Sequence, residues 1–141
     1  MGIMANSLKK NRDMTKEDKE LLLKDLCARI PYGVKIELHG EVCTVFGCVD
    51  DYVQCTANVP TDQQTMVTNV KPYLRPMSSM TDDEEREFIS LKCKIVTYTH
   101  GYNCILSLDE LDWLNSHHFD YRGLIPMGLA LEAPEGMYKT E

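Results

Sequence analysis

Two segments of this chain alternate apolar and polar residues with a period of two, and that alternation constrains the fold most. In VKIELHG, Val34, Ile36 and Leu38 alternate with Lys35, Glu37 and His39. In YVQCTANVP, Val53, Cys55, Ala57 and Val59 alternate with Gln54, Thr56 and Asn58. Successive side chains of a strand point to opposite faces, so each segment buries one face and wets the other. Between them, EVCTVFGCV is β-rich, and Val49-Asp50-Asp51-Tyr52 reads as a tight connection. TMVTNVKPYL reads as a fourth strand that ends at Pro72. Four short antiparallel strands at this spacing predict a small curled sheet, SH3-like or barrel-like.

The flanking segments carry helix signals. Thr15 is placed to cap a helix, with Glu17 and Asp18 at its positive end. Leu22 and Leu26 share one face, with Leu23, Cys27 and Ile30 beside them, and Pro31 and Gly33 stop the helix. KPYLRPMSSM is a rigid connector held by Pro72 and Pro76. Thr81 and Glu84 form a capping box that opens a helix to about Leu91, with Phe88 and Leu91 facing inward. KCKIVTYT and NCILSL predict a hairpin around His100-Gly101-Tyr102-Asn103. Ser107 and Glu110 repeat the capping box, opening a helix that carries Leu111, Trp113 and Leu114. Asp120 is placed to cap one further helical turn, ended by Pro126 and Gly128, after which LALEAPEGMY runs extended.

The predicted class is therefore α+β: an N-terminal helix, a small antiparallel sheet, a helix, a β-hairpin, a C-terminal helix and an extended tail. Residues 1–13 show no periodicity and read as a flexible N-terminal extension. Residues 14–141 read as a single domain, and Met14 is a second candidate translation start.

Charge narrows the partners. The net charge of −7 is uneven: residues 1–13 carry +2, residues 14–75 carry −2 and residues 76–141 carry −7. Nucleic-acid affinity comes largely from Lys and Arg displacing counterions, so an acidic body without a basic stripe argues against DNA or RNA. No apolar run has the length of a membrane span, and MGIMANSLKKNRD lacks the apolar core of a secretory signal. An intracellular protein is expected. The six cysteines show no Cys-x-x-Cys spacing and read as reduced thiols.

The richest chemistry lies in LNSHHFDYRGLIP, residues 114–126. His117 and His118 are neighbours, and adjacent helical side chains diverge too far to chelate one ion. A metal site would need one of them with Asp120, His100 or Cys104, and no zinc-type spacing is present. No metal or cofactor is expected. The bland reading of the histidines is a favourable meeting with the negative end of a helix. Cys93 with His100, or Cys104 with His117, would be the thiol–imidazole pairs. Cysteines on the apolar faces of strands, Cys55, Cys93 and Cys104, instead behave as small hydrophobes. Asp82–Asp83 and Asp109–Glu110 sit in first helical turns, and Asp50–Asp51 sits in a turn, so no carboxylate pair is singled out for acid–base work. No phosphate loop, nucleophile elbow or dinucleotide fingerprint occurs.

Recognition is the remaining reading of the stretch. Trp113, Phe119, Tyr121, Arg122, Met127, Met137 and Tyr138 gather near the C-terminus, and such types are enriched in interface cores. Trp113, Phe119, Leu124 and Ile125 are assigned to the core. Tyr121 and Arg122, with His117, His118 and Asp120, are the candidate binding residues.

Three phrases also carry a resemblance: MTKEDKELLLKDLCARIPYGVK (residues 14–35), VKPYLRPMSSMT (70–81) and LNSHHFDYRGLIPMGLALEAPEGMY (114–138). They cover somewhat under half of the chain. They resemble a family of small proteins encoded by gut anaerobic bacteria, their phages and integrated elements. The resemblance implies a bacterial cytoplasmic setting and a usual start at Met14, and it implies no catalytic residues. Three functions are then in view. The first is a non-enzymatic protein-binding or accessory protein of a mobile element or phage, with a host or defence component among its partners. The second is a small enzyme or metal-dependent module built on His117, His118 and Asp120. The third is binding of a nucleotide-like small ligand by the sheet, with Lys71, Arg75 and Arg122 as cations. The oligomeric state is left open by all three.

Overall fold

The computed structural model describes residues 14–56, 62–93 and 107–138. Helix α1 spans Lys16–Arg29. Its capping box is complete: the Asp18 amide donates to Thr15 Oγ1 at 3.0 Å, and the Thr15 amide donates to the Asp18 carboxylate at 3.3 Å. A 3₁₀ turn at Ile30–Tyr32 follows, and Gly33 closes it at φ 71°, a left-handed conformation that glycine adopts without strain.

The sheet comprises β1 (Lys35–Leu38), β2 (Glu41–Val49), β3 (Tyr52–Thr56), β4 (Asp62–Met66), β5 (Lys71–Leu74) and β6 (Leu131–Glu132). Its order is β4-β3-β2-β1-β5-β6. The first five strands pair antiparallel, and β6 adds to β5 in parallel. His39 and Gly40 make the β1–β2 turn, both at positive φ as a tight type I′ hairpin requires. The predicted alternation holds: Val34, Ile36, Leu38, Val53 and Cys55 are buried.

Two expectations need correction, and the barrel-like shape is not confirmed. TMVTNVKPYL is not one strand: β4 ends at Met66, a 3₁₀ turn covers Val67–Asn69, and Pro72 lies inside β5. Val67, the first residue of that turn, and Val70, just after it, both point into the core, which breaks the run in two. The β1–β5 ladder is short, pairing Ile36 with Pro72 and Glu37 with Lys71, so one missing amide donor is tolerated. An SH3-like barrel is not confirmed: among the described residues β4 and β6 are the two ends of the sheet order and do not pair with each other. Residues 121–128 form successive turns rather than a further helix.

Helix α2 spans Asp82–Cys93 and α3 spans Leu108–Ser116, each opened by its predicted capping box. Trp113, Leu114 and Phe119 form a small core between them, with Met80, Phe88, Leu91 and Tyr121 packed against it. The larger core joins Leu22 and Leu26 of α1 to the sheet and to Leu124, Leu129 and Ala130 of the tail. The predicted hairpin over residues 92–108 lies largely outside the described residues, as do Ala57 and Val59; at its ends, Lys92 and Cys93 belong to α2, and Ser107 and Leu108 to the start of α3.

The inward face of α1 contains two charges. Leu22, Asp25, Leu26 and Arg29 are its buried residues, at the i, i+3, i+4, i+7 spacing of a core-facing stripe. Arg29 grips Asp25 bidentately, at 2.9 Å from Nε and 3.1 Å from Nη2, and both side chains are fully buried. Arg29 Nη2 also donates to the Phe119 carbonyl at 2.6 Å, and Arg122 Nε reaches the other side of the pair, 3.0 Å from Asp25 Oδ1. One carboxylate thus ties the first helix to residues more than ninety positions away. Removing one partner of a buried pair leaves the other charged, desolvated and unmatched. Arg29→Ala is therefore expected to destabilise the fold by about 3–5 kcal/mol in urea unfolding. Arg122→Ala is expected to cost less, because Asp25 keeps Arg29.

Candidate functional site

The candidate stretch begins where α3 ends, and its geometry follows from how that helix stops. The His118 amide donates to Asn115 O at 3.1 Å, and the Phe119 amide donates to Leu114 O at 3.0 Å. This is the Schellman pattern, with His118 in the left-handed position at φ 62° where glycine is usual. Phe119, the next residue, then folds back against Trp113, with ring centroids 5.7 Å apart. The chain continues along β5: the Arg75 amide donates to His118 O at 2.7 Å, and the Asp120 amide donates to Arg75 O at 2.8 Å.

The five candidate residues do not converge. His117 stacks on Trp113 at 4.1 Å, and its Nδ1 lies 2.9 Å from the Trp113 carbonyl, so Nδ1 carries the proton. His118 is buried on another side, stacked on Tyr138 at 3.7 Å, with Nε2 donating to Tyr32 O at 3.0 Å. Burial and the nearby Arg29 charge push its pKa down to about 4. It is a neutral structural histidine, which overturns the expectation of a favourable charge at the helix end. Asp120 points inward and accepts the Leu124 and Ile125 amides at 2.8 and 2.9 Å, which nucleates the turns that follow. Tyr121 donates its hydroxyl to Asn115 Oδ1 and accepts from Arg122 Nη2, and its ring lies beneath both Arg29 and Arg122. Phe119 and Leu124 are fully buried, Trp113 nearly so, and Ile125 is half-buried, in keeping with their assignment to the core.

A cavity of about 580 Å³ lies beside this stretch, between Arg75, Glu84 and His117 on one wall and the tail around Pro134 and Tyr138 on the other. Its central charges are already matched. Arg75 binds Glu84 bidentately at 2.9 and 2.8 Å and lies over the Phe119 ring. That guanidinium holds the Glu84 pKa down to about 2, so the carboxylate is a fixed anion rather than a proton carrier near neutrality. The Tyr138 hydroxyl accepts from the Lys35 amide and donates to Tyr73 O, both at 2.8 Å.

The thiols are no readier for chemistry. Cys43 and Cys55 are buried neighbours, and burial pushes the Cys55 thiol up to about 11. Cys48 is pushed up to about 12 by burial and by its neighbour Cys27. A nucleophilic cysteine needs the opposite shift. His100, Cys104 and the Cys93 side chain lie outside the described residues. Among the described residues, no three His, Cys, Asp or Glu side chains gather to hold a metal ion.

The sheet carries a surface that the sequence reading missed. Val49, Tyr52 and Met66 are directly opposed across β2, β3 and β4, so all three point to one face. They are 52%, 42% and 40% exposed, and Phe46, at the bulge in β2, is 46% exposed beside them. The adjoining row is Gly47, Gln54 and Gln64. Neither row contains a charge, in a chain with 37 acidic and basic residues among 141. β4 pairs only with β3 among the described residues, and its sequence, DQQTM, has neither the lysine nor the proline that commonly blunts an edge. The signal was present in EVCTVFGCV, where apolar residues fall on both faces, which a strand with one wet face does not need. No helix among the described residues is long and apolar enough to cross a membrane. Compared with family models, curated proteins and solved structures, the chain matches none.

The His118 geometry has a pH signature. The unfolded chain takes up this proton near pH 6.5, whereas the folded chain resists it down to about pH 4. The unfolded state therefore binds more protons across that window, and stability falls as pH falls through it, by about 1.4 kcal/mol per unit at most. His118→Asn keeps a residue that tolerates positive φ. Urea unfolding between pH 7 and 4 is expected to show a shallower loss of stability in that variant than in wild type.

Proposed function

We propose that this chain is a non-enzymatic protein-binding accessory protein, and that it binds through the outer face of β2–β4 and the adjoining edge of β4. One observation carries the reading: four large apolar side chains, Phe46, Val49, Tyr52 and Met66, stand exposed together where the cross-strand rows of the sheet carry no charge. Exposed apolar groups that form a patch, rather than standing singly, mark contact surfaces. The edge of β4 beside them, unpaired among the described residues, offers backbone donors and acceptors that another chain can extend. The partner of stated chemistry is thus a protein presenting an uncharged apolar surface next to a strand. A nucleic acid is a poor fit, because the patch has no cation to meet a phosphate. The resemblance to proteins of phages and mobile elements supports a bacterial host cytoplasm as the setting.

The reading moves contact away from Tyr121, Arg122 and Asp120, whose polar groups are engaged within the fold. It also weakens the enzyme alternative, since His117, His118 and Asp120 face three different surroundings. The test is photo-crosslinking in bacterial cells, with the reactive residue at position 46 or 52, and at exposed Met127 as the control. The expected result is one partner captured from both sheet positions, absent from position 127 and lost on adding Met66→Lys. Met66 is exposed, so this substitution is expected to change stability by no more than about 0.5 kcal/mol. Capture that is equal from all three positions, or absent from both sheet positions, would contradict the proposal.

A further inference from the structure

A second cavity, of about 950 Å³, lies between the start of α1, the β1–β2 turn and the 3₁₀ turn before β5. It is lined by Lys19, Lys71 and His39, by the polar Thr68 and Asn69, and by the Glu37 carboxylate. Two lysines and a histidine thus come together from three separate elements of a protein of net charge −7. The described arginines are all committed: Arg29 and Arg122 to Asp25, Arg75 to Glu84, and Arg86 to Asp83. Lys71 is not. Its cross-strand neighbour is Glu37, where an ion pair would be expected. Glu37 Oε2 instead accepts the Gly40 amide at 2.7 Å and pins the β1–β2 turn. Lys71 thus has no ion-pair partner among the described residues. Lys19 meets Asp51 only at 4.0 Å, with both side chains partly exposed, which is a weak restraint. The tight turn holds His39 at φ 53° on the cavity rim. Met14 and Leu131 add an apolar patch to the same wall.

We propose that this cavity is a binding site for a small phosphorylated molecule, with Lys19 and Lys71 gripping the phosphate oxygens and His39 and Asn69 donating to them. Lysine ammonium groups suit a phosphate as mobile point charges, and the mixed wall accommodates a ring or carbon chain attached to it. The site is separate from the exposed β2–β4 face and does not depend on that face binding a protein.

The test is isothermal titration of the full chain with inorganic pyrophosphate, AMP and uncharged adenosine, at low and moderate salt. Wild type is expected to bind pyrophosphate and AMP, more weakly as salt rises, and not to bind adenosine alone. A charge-assisted hydrogen bond is typically worth about a tenfold change in affinity, so Lys71→Gln is expected to weaken AMP about tenfold and Lys19→Gln/Lys71→Gln further. Lys24→Gln, a lysine outside the cavity, is expected to change nothing. Both cavity lysines are partly exposed, and a matching thermal melt confirms that the variants are folded. Absence of binding at millimolar pyrophosphate and AMP, or binding that survives the double substitution, would overturn the proposal.

Discussion

The Asp25–Arg29 pair is the interaction on which the rest of the structure depends. Two full charges removed from water are tolerated only when each is matched by strong hydrogen bonds. Here the carboxylate receives two bonds from Arg29 and one from Arg122, while Arg29 passes a further bond to the Phe119 carbonyl. Arg122 and Phe119 both lie in the segment that follows α3. The pair therefore does more than hold a helix: it specifies where the C-terminal third of the chain must lie. Hydrophobic contact alone is non-directional and would not fix that register.

The same logic explains why LNSHHFDYRGLIP resembles an active site in composition without having the geometry of one. Each polar group there performs a structural task. His118 occupies the left-handed end of a helix and donates to Tyr32 O, Asp120 holds two amides of the next turn, and Arg122 completes the Asp25 cluster. Polar groups so engaged are poorly placed to exchange partners with a ligand. The surfaces left to do so are those where side chains are exposed and unmatched, namely the apolar rows of β2–β4 and the lysine-bearing cavity near α1.

Much of this was legible in the sequence. The cap at Thr15, the capping boxes at Thr81 and Ser107, the stop at Pro31–Gly33, and the strand alternation at Val34–Leu38 all follow from local chemistry, and local chemistry decided them. What escaped was non-local. Asp25 and Arg29 at i, i+4 look like a solvated helix pair, and only the packing of the tail against α1 buries them. The break between β4 and β5 is set by Val67 and Val70 turning into the core, which no strand-period argument sees. Strand count predicts a curled or barrel-like sheet, but the parallel addition of Leu131–Glu132 to β5 depends on the end of the chain folding back. The exposed face of β2–β4 was missed because Phe46 and Val49 were read as strand formers without asking which face they occupied.

The central claim is that residues 114–126 are a structural clasp while the outer edge of β4, unpaired among the described residues, is open for contact. Native-state hydrogen exchange of the isolated protein tests it most directly, because it reads both regions in one experiment. The account predicts that the amides of Phe119, Leu124 and Ile125 exchange only with global unfolding, while the outward amides of β4 exchange far faster. Rapid exchange throughout residues 114–126, with β4 fully protected, would contradict it.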